Sequence, residues 1–164
     1  MRLTTYTDYS LRLLMYLAVA NDGLATIGHV ATSYGISKNH LTKVAHQLGV
    51  AGYIETVRGK GGGLRLARPA EEIGLGAVVR YSEPDMALVP CFPPVNGACA
   101  ILPCCGLRHV LDKARMAFVE VLDRYTLADL VRAPDPLRGL LGIAEASRAT
   151  PVRPPLAPDP GARS

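Results

Sequence analysis

The sequence predicts a mainly α-helical protein with a small β wing, in which a winged helix-turn-helix is followed by a long dimerisation helix. Apolar residues recur at helical spacing from residue 11 to residue 48, and two short strand-like runs then flank a glycine-rich turn. A longer amphipathic stripe follows in the second half of the chain. With 164 residues, 49% of them hydrophobic, the chain can bury the core of one compact domain and carry an extension.

The first three predicted helices build a helix-turn-helix within a DNA-binding domain at residues 1–70. Thr7 or Asp8 can cap the first helix, and its apolar stripe is Leu11, Leu14, Met15, Ala18 and Val19. The second helix starts near Thr26, and its inward-facing residues are Ile27, Val30 and Ala31. Gly35 then accepts a left-handed turn, Ile36 fills the corner, and Ser37 caps the third helix.

The third predicted helix has a polar face that suits DNA. Its buried stripe is Leu41, Val44, Ala45 and Leu48. The candidate contacts to base edges and phosphates are Ser37, Lys38, Asn39, His40, Thr42, Lys43 and Gln47. An ordinary solvated helix face is the alternative interpretation of these polar residues.

A β wing is predicted directly after this helix. Residues 53–58 and 64–66 have strand-like composition, and the turn between them is rich in glycine. Arg58, Lys60 and Arg65 make the wing basic and are further candidate DNA contacts. A nucleotide-binding loop is not favoured, because Lys60 is not followed by Ser or Thr and no helix opens after it.

The distribution of charge favours a polyanionic partner for the first half. The net charge is +4, and residues 1–80 hold nine Lys and Arg against five Asp and Glu, whereas residues 81–164 hold nine of each. Between residues 35 and 68 the balance is six basic residues to one acidic. No apolar run is long enough to span a bilayer, so we expect a cytoplasmic protein without a membrane partner.

The second half is predicted to serve dimerisation. Residues 71–88 form a connecting segment with a helix at about 71–81, and residues 89–106 form a cysteine-bearing loop. The dimerisation helix and a return segment occupy residues 107–147, with Thr126 capping a short helix through Leu130. Residues 148–164 are proline-rich and predicted to be disordered. The apolar stripe of the long helix is Leu107, Val110, Leu111, Ala114, Ala117, Phe118, Val121, Leu122 and Tyr125.

All four cysteines fall within fifteen residues, at positions 91, 99, 104 and 105. Prolines and a glycine separate them, so they lie on a loop, and three thiolates spaced C-x7-C-x5-C could hold three corners of an iron–sulfur cluster. Zinc is a competitor, because Cys91, Cys99 and Cys105 with Cys104 or His109 would make a tetrahedral set. Disulfides, reactive thiols and plain buried cysteines remain as further alternatives.

Several segments together resemble the iron–sulfur winged-helix regulators typified by IscR and NsrR. They are residues 6–12, 35–41, 51–53 and 57–66, the cysteine segment, and residues 125–130, so the likeness covers about residues 1–140. Within that family the likeness is greater to the nitric-oxide-sensitive NsrR-like repressors. The resemblance implies a homodimeric DNA-binding repressor that holds one iron–sulfur cluster per subunit, 4Fe–4S or 2Fe–2S, and is not an enzyme.

The resemblance also implies ligands. Cys91, Cys99 and Cys105 match the family's thiolates, and Cys105-Gly106-Leu107-Arg108 fits the motif around the third of them, whereas Cys104 has no counterpart. IscR-like proteins place a histidine where this chain has Arg108, and NsrR-like proteins use an aspartate from the partner subunit's first helix, matched here by Asp8. The other interpretation of Asp8 is a helix cap.

Four functions follow as hypotheses. The first is a repressor that senses nitric oxide when its iron–sulfur cluster is nitrosylated or lost, releasing operator DNA. The second is a regulator of iron–sulfur assembly or iron homeostasis on the same fold. A zinc-stabilised DNA-binding protein and a redox or electron-transfer protein are less favoured, the latter because the basic winged half would have no role.

Overall fold

The computed structural model describes residues 2–20 and 24–143. Its helices are α1 (Thr5–Val19), α2 (Ile27–Tyr34), α3 (Lys38–Val50), α4 (Leu75–Ser82), α5 (Gly106–Asp123), α6 (Leu127–Leu130) and α7 (Pro134–Leu141). Between α3 and α4 the strands β1 (Ile54–Val57) and β2 (Gly63–Leu66) pair antiparallel. The predicted fold class, mainly α with a small β wing, is confirmed.

Helix α1 begins earlier than predicted, and neither Thr7 nor Asp8 caps it. Thr4 is the cap: its backbone is extended, and its hydroxyl accepts a hydrogen bond from the Thr7 N–H at 3.2 Å. Thr7 is fully buried inside the first turn. The buried face is also wider than the predicted stripe, because Leu13 and Leu17 belong to the core, while Leu11, Met15 and Ala18 pack at its edge.

The helix-turn-helix forms as predicted. The Thr26 hydroxyl caps α2 by accepting from the His29 N–H, and Gly35 ends the helix in the left-handed region with φ of 64°. The four predicted stripe residues of α3 are all buried: Leu41, Val44, Ala45 and Leu48. Ser37 occupies the cap position of α3, but its side chain makes no capping hydrogen bond.

Backbone pairing joins the two strands of the wing to each other and to the segment before α2. Glu55 lies directly opposite Arg65 in the two-stranded sheet, and Ala25 extends the pairing by exchanging two backbone hydrogen bonds with Leu64. A Cβ at Gly62 would clash with the Val57 carbonyl oxygen, so only glycine fits this turn.

The helix predicted at about residues 71–81 is broken in two. A 3₁₀ turn at Ala70–Glu72 precedes α4, and the chain between them is extended. There the Ile73 carbonyl accepts from the Leu127 N–H, and the Leu75 N–H donates to the Tyr125 carbonyl. The backbone of residues 73–75 therefore pairs with the segment entering α6, which a continuous helix would prevent.

The return segment contains α7, which the sequence analysis did not predict as a helix. It packs on α1, where the Arg138 guanidinium donates to the Val19 carbonyl at 2.9 Å. It also contacts α2, because the Ser33 hydroxyl donates to the Leu141 carbonyl at 2.6 Å. Thr126 caps α6 within a capping box that Asp129 completes, as expected. The tail predicted to be disordered lies outside the described residues, and none of the described helices is long and apolar enough to cross a membrane.

Candidate functional site

The predicted recognition residues form one exposed surface on α3. Those on the helix are all exposed: Lys38, Asn39, His40, Thr42, Lys43 and Gln47. Ser37 is exposed at the start of the helix. The Thr42 hydroxyl already donates its hydrogen to the Lys38 carbonyl, so it can only accept a hydrogen bond from a partner. The face is polar and carries two lysines, the composition that phosphate and base-edge contacts require.

The wing adds three cations to this surface, and among residues 2–20 and 24–143 only Arg65 of the three has an ion-pair partner. Arg58 and Lys60 are exposed at the turn, where Gly59 and Gly61 adopt positive φ. Arg65 is exposed as well, but its guanidinium is paired with the Glu55 carboxylate across the strands. The structure therefore places Arg65 on the predicted surface with part of its charge neutralised.

Two side chains, Arg68 and Tyr81, fix the end of α3 relative to its neighbours. The Arg68 guanidinium donates to the Gly52 carbonyl and lies over the Tyr53 ring, 5.0 Å from its centroid. The Tyr81 hydroxyl of α4 donates to the Gln47 carbonyl at 2.9 Å. The recognition helix is thus tied both to the wing and to the element that leads into the cysteine residues.

The start of α1 touches the recognition helix, a contact that the sequence analysis missed. The Tyr9 ring lies 6.3 Å from the His40 imidazole, measured between centroids. Tyr9 is next to Asp8 in the sequence. No local pattern signals this contact, because the two residues are 31 positions apart in the sequence and lie on different helices, whose packing is a tertiary property.

Asp8 is half-exposed in the first half of α1 and is bound to Arg12. The Arg12 Nε lies 2.9 Å from both carboxylate oxygens, and the hydrogen bond to Asp8 holds the pKa of the Arg12 guanidinium above its ordinary value. The guanidinium also lies over the Tyr34 ring at 5.6 Å. The spacing of four residues was a readable signal for this pair. With Thr4 as the cap, the capping interpretation of Asp8 is wrong.

The cysteines lie on the segment between α4 and α5, residues 84–105, which we call the cysteine loop. All four are free thiols; Cys99 and Cys104 are exposed, and Cys91 and Cys105 are half-buried. Phe92 anchors the loop, being 3% exposed, and the Arg108 guanidinium lies over its ring. A cleft of about 720 Å³ beside this anchor is lined by both Cys104 and Cys105.

Cys105 has a distinct environment at the start of α5. It occupies the cap position, and its sulfur accepts a hydrogen bond from the Arg108 N–H at 3.4 Å. The thiolate is the form in which cysteine binds iron or zinc. Cys104 differs, because its sulfur contacts the Ile101 carbonyl.

The donor chemistry fits an iron–sulfur cluster, although the ligands are not gathered. Four free thiols lie on one loop, one of them at a helix N-terminus, and thiolates are the donors that such a cluster takes. Within residues 2–20 and 24–143, no group of three or more His, Cys, Asp or Glu side chains is arranged to hold a metal ion. Asp8 lies on α1, and the structure describes a single subunit.

Comparison with known proteins identifies the family. The profile of the Rrf2 family, described as an iron-dependent transcriptional regulator, matches residues 3–133. The chain belongs to the Rrf2 family. It is 50% identical over 146 residues to the HTH-type transcriptional regulator NsrR of Bacillus subtilis, covering 88% of this chain and 100% of that protein. The NsrR of Bacillus licheniformis is 51% identical, with 86% and 99% covered.

Solved structures of similar fold include other regulators of this family. CymR of Staphylococcus aureus in its oxidised form has a TM-score of 0.62 and 30% identity, covering 79% of this chain and 95% of that one. The IscR of T. potens has a TM-score of 0.64 at 24% identity, covering 84% and 91%, which shows the fold alone. The present Rrf2 protein is therefore an NsrR-type, DNA-binding transcriptional repressor, and its relatives are named as regulators and not as enzymes.

Proposed function

We propose that the protein is a homodimeric repressor that binds operator DNA through α3 and the wing and senses nitric oxide through an iron–sulfur cluster. The observation that carries this proposal is the cysteine loop. It presents three free thiols at the family positions, directly between the helix that contacts α3 and the long helix α5. The likeness to NsrR proteins over most of the chain supports the same assignment.

The proposed ligands are Cys91, Cys99 and Cys105, with Asp8 of the partner subunit as the fourth. Within its own subunit Asp8 is paired with Arg12, and both side chains are more than 40% exposed. A surface ion pair of this kind contributes at most about 1 kcal/mol. The Asp8 carboxylate can therefore leave Arg12 to bind the iron of the partner's cluster at little cost. It can pair with Arg12 again when that iron is lost.

Dimerisation is proposed to use one edge of α5. The apolar stripe is divided: Leu111, Phe118 and Leu122 are half-buried in their own subunit. The other edge is exposed, with Leu107 at 64%, Val110 at 61% and Val121 at 51%. An apolar ridge of this length suits a second copy of itself, and a two-fold dimer matches a palindromic operator.

The response to nitric oxide follows from the contacts of α1. The bound iron–sulfur cluster would supply iron that nitric oxide binds. If the partner subunit's Asp8 no longer bound that iron, α1 would not be held across the dimer, and Tyr9, which packs against His40, would pass the displacement of α1 to the recognition helix. A loss of about 3 kcal/mol suffices for release, since each 1.4 kcal/mol changes affinity tenfold.

The test combines spectroscopy with operator binding. Anaerobically purified protein should show iron–sulfur absorption and Mössbauer spectra. It should bind a palindromic operator about a hundredfold more tightly than the apo-protein or nitric-oxide-treated protein. Serine at Cys91, Cys99 or Cys105 should abolish the chromophore, whereas the matched control Cys104→Ser should keep it. Equal operator affinity in all states would overturn the proposal, and loss of the chromophore in Cys104→Ser would overturn the ligand assignment.

A second function is favoured by one observation, the description of the family profile as an iron-dependent regulator. In that case the iron supply, and not nitric oxide, would determine whether the same site holds an iron–sulfur cluster. The two are separated by treating operator-bound holo-protein with an iron chelator or with a nitric oxide donor. Release by the chelator at stoichiometric concentration, with no response to the donor, would favour the iron sensor.

A further inference from the structure

We propose that Glu83 is a positioning residue that connects the cysteine loop to the first turn of α1 within one subunit, and so transmits the state of the loop to the recognition helix. The inference rests on the proposed function and deepens it. The cross-subunit ligand Asp8 gives one route from the site to α1. Glu83 gives a second route that needs no partner.

Glu83 forms hydrogen bonds that connect the end of α4 to the start of α1. It is the C-cap residue that follows α4, and it directly precedes the cysteine loop. Its carboxylate oxygen accepts from the Thr4 N–H at 2.8 Å and from the Thr4 hydroxyl at 3.2 Å, across 79 residues of sequence. Among the residues that the structure describes, no other hydrogen bond joins the first turn of α1 to residues 83–105.

The residue that Glu83 holds is the cap of α1. Thr4 accepts from the Thr7 N–H through its hydroxyl and from the Asp8 N–H through its carbonyl. A carboxylate beside a helix N-terminus also interacts favourably with the helix dipole. Glu83 therefore fixes the cap, and the cap fixes the turn that carries Asp8 and Tyr9.

The remaining step leads from α1 to the DNA-binding surface. Tyr9 follows Asp8 and packs against His40, an exposed residue of α3. Helices α1 and α3 also share a buried contact surface. A shift of the loop at Glu83 would thus move Thr4, then the first turn of α1, then the side of α3 that faces the operator. Each step is a direct contact and not action at a distance.

The experiment uses the full-length dimer with three variants. Glu83→Ala removes both hydrogen bonds to Thr4, whereas Glu83→Gln keeps a carbonyl oxygen that can accept them. Glu71→Ala is the control for lost charge, because Glu71 is an exposed glutamate that takes no part in these hydrogen bonds. Two quantities are measured: amide hydrogen exchange of residues 5–10 in apo-protein, and operator affinity of the iron–sulfur-loaded protein, with its absorption spectrum recorded.

We expect Glu83→Ala to exchange its first-turn amides about tenfold faster and to bind the operator about tenfold more weakly, with an unchanged spectrum. Glu83→Gln should lie near wild type, and Glu71→Ala should match it. Unchanged exchange, or faster exchange with wild-type operator affinity, overturns the proposal. So does a changed spectrum in both Glu83 variants, which would place Glu83 at the iron–sulfur site itself. The exchange measurement needs neither metal nor operator, so it separates this inference from failure of the proposed function.

Discussion

At the scale of single residues, paired charges decide which side chains are available for function. Asp8 is held by Arg12, and Arg65 is held by Glu55. The sequence analysis identified Asp8 and Arg65 as functional from their types and positions. The Asp8–Arg12 pair could be predicted from the sequence, because Arg12 lies four residues from Asp8 on the same helix. The Glu55–Arg65 pair could not, because Glu55 faces Arg65 only through the strand register.

Because Glu55 is paired with Arg65, we expect Glu55 to lower the affinity of the wing for DNA. Glu55→Gln should free Arg65 for a phosphate, tightening operator binding several-fold and steepening the salt dependence of binding by about one phosphate contact. Titrations across a range of salt concentrations measure both effects. Glu72→Gln is the control, because it removes the same charge outside the wing. An unchanged salt slope in Glu55→Gln would place Arg65 away from the DNA.

At the scale of elements, helix boundaries are set by caps and by what each end must pair with. Thr126 and Asp129 form a complete capping box, which the sequence pattern signals. The break between the 3₁₀ turn and α4 has no such signal. It exists because Gly74 pairs with Thr126 in an isolated bridge, so two segments about fifty residues apart determine each other.

The capping box predicts a pH dependence of stability. The hydrogen bond from the Thr126 N–H, and then that from Arg132, lower the pKa of Asp129. A depressed folded-state pKa contributes stability above the ordinary carboxyl value of about 3.9, and that contribution is lost as the pH falls through the lowered value. Asp129→Asn should therefore lower the melting temperature near neutral pH, and the difference from wild type should shrink below about pH 4. A difference that does not vary with pH would contradict this.

At the scale of the whole molecule, the exposed edge of α5 is the feature that a single subunit leaves unexplained. Its residues are apolar and exposed from the first turn of the helix to the last. The sequence analysis predicted one broad stripe. The structure divides it, because α5 packs against α4 on one side, and the Arg80–Asp123 ion pair secures that contact.

The divided stripe predicts which substitutions prevent dimerisation. Val110→Glu should raise the dimer dissociation constant a hundredfold or more, because it buries an unpaired charge in the proposed interface. Met116→Glu is a matched control: it is 60% exposed against 61% for Val110, but lies on another side of α5. Sedimentation velocity over a concentration series measures the effect. Equal weakening by both substitutions would argue against this edge as the interface.

The sequence by itself determined the winged helix-turn-helix, the polar face of α3, the basic wing and the set of candidate thiols. These depend on periodicity, caps and turn residues, whose physics acts within about four residues along the chain. The tertiary structure alone decided the Thr4 cap with its Glu83 partner, the contact between Tyr9 and His40, the break before α4 and the docking of α7 on α1. Each of these joins side chains or backbone groups that are distant in sequence, and no local pattern encodes which distant group will satisfy a given hydrogen bond.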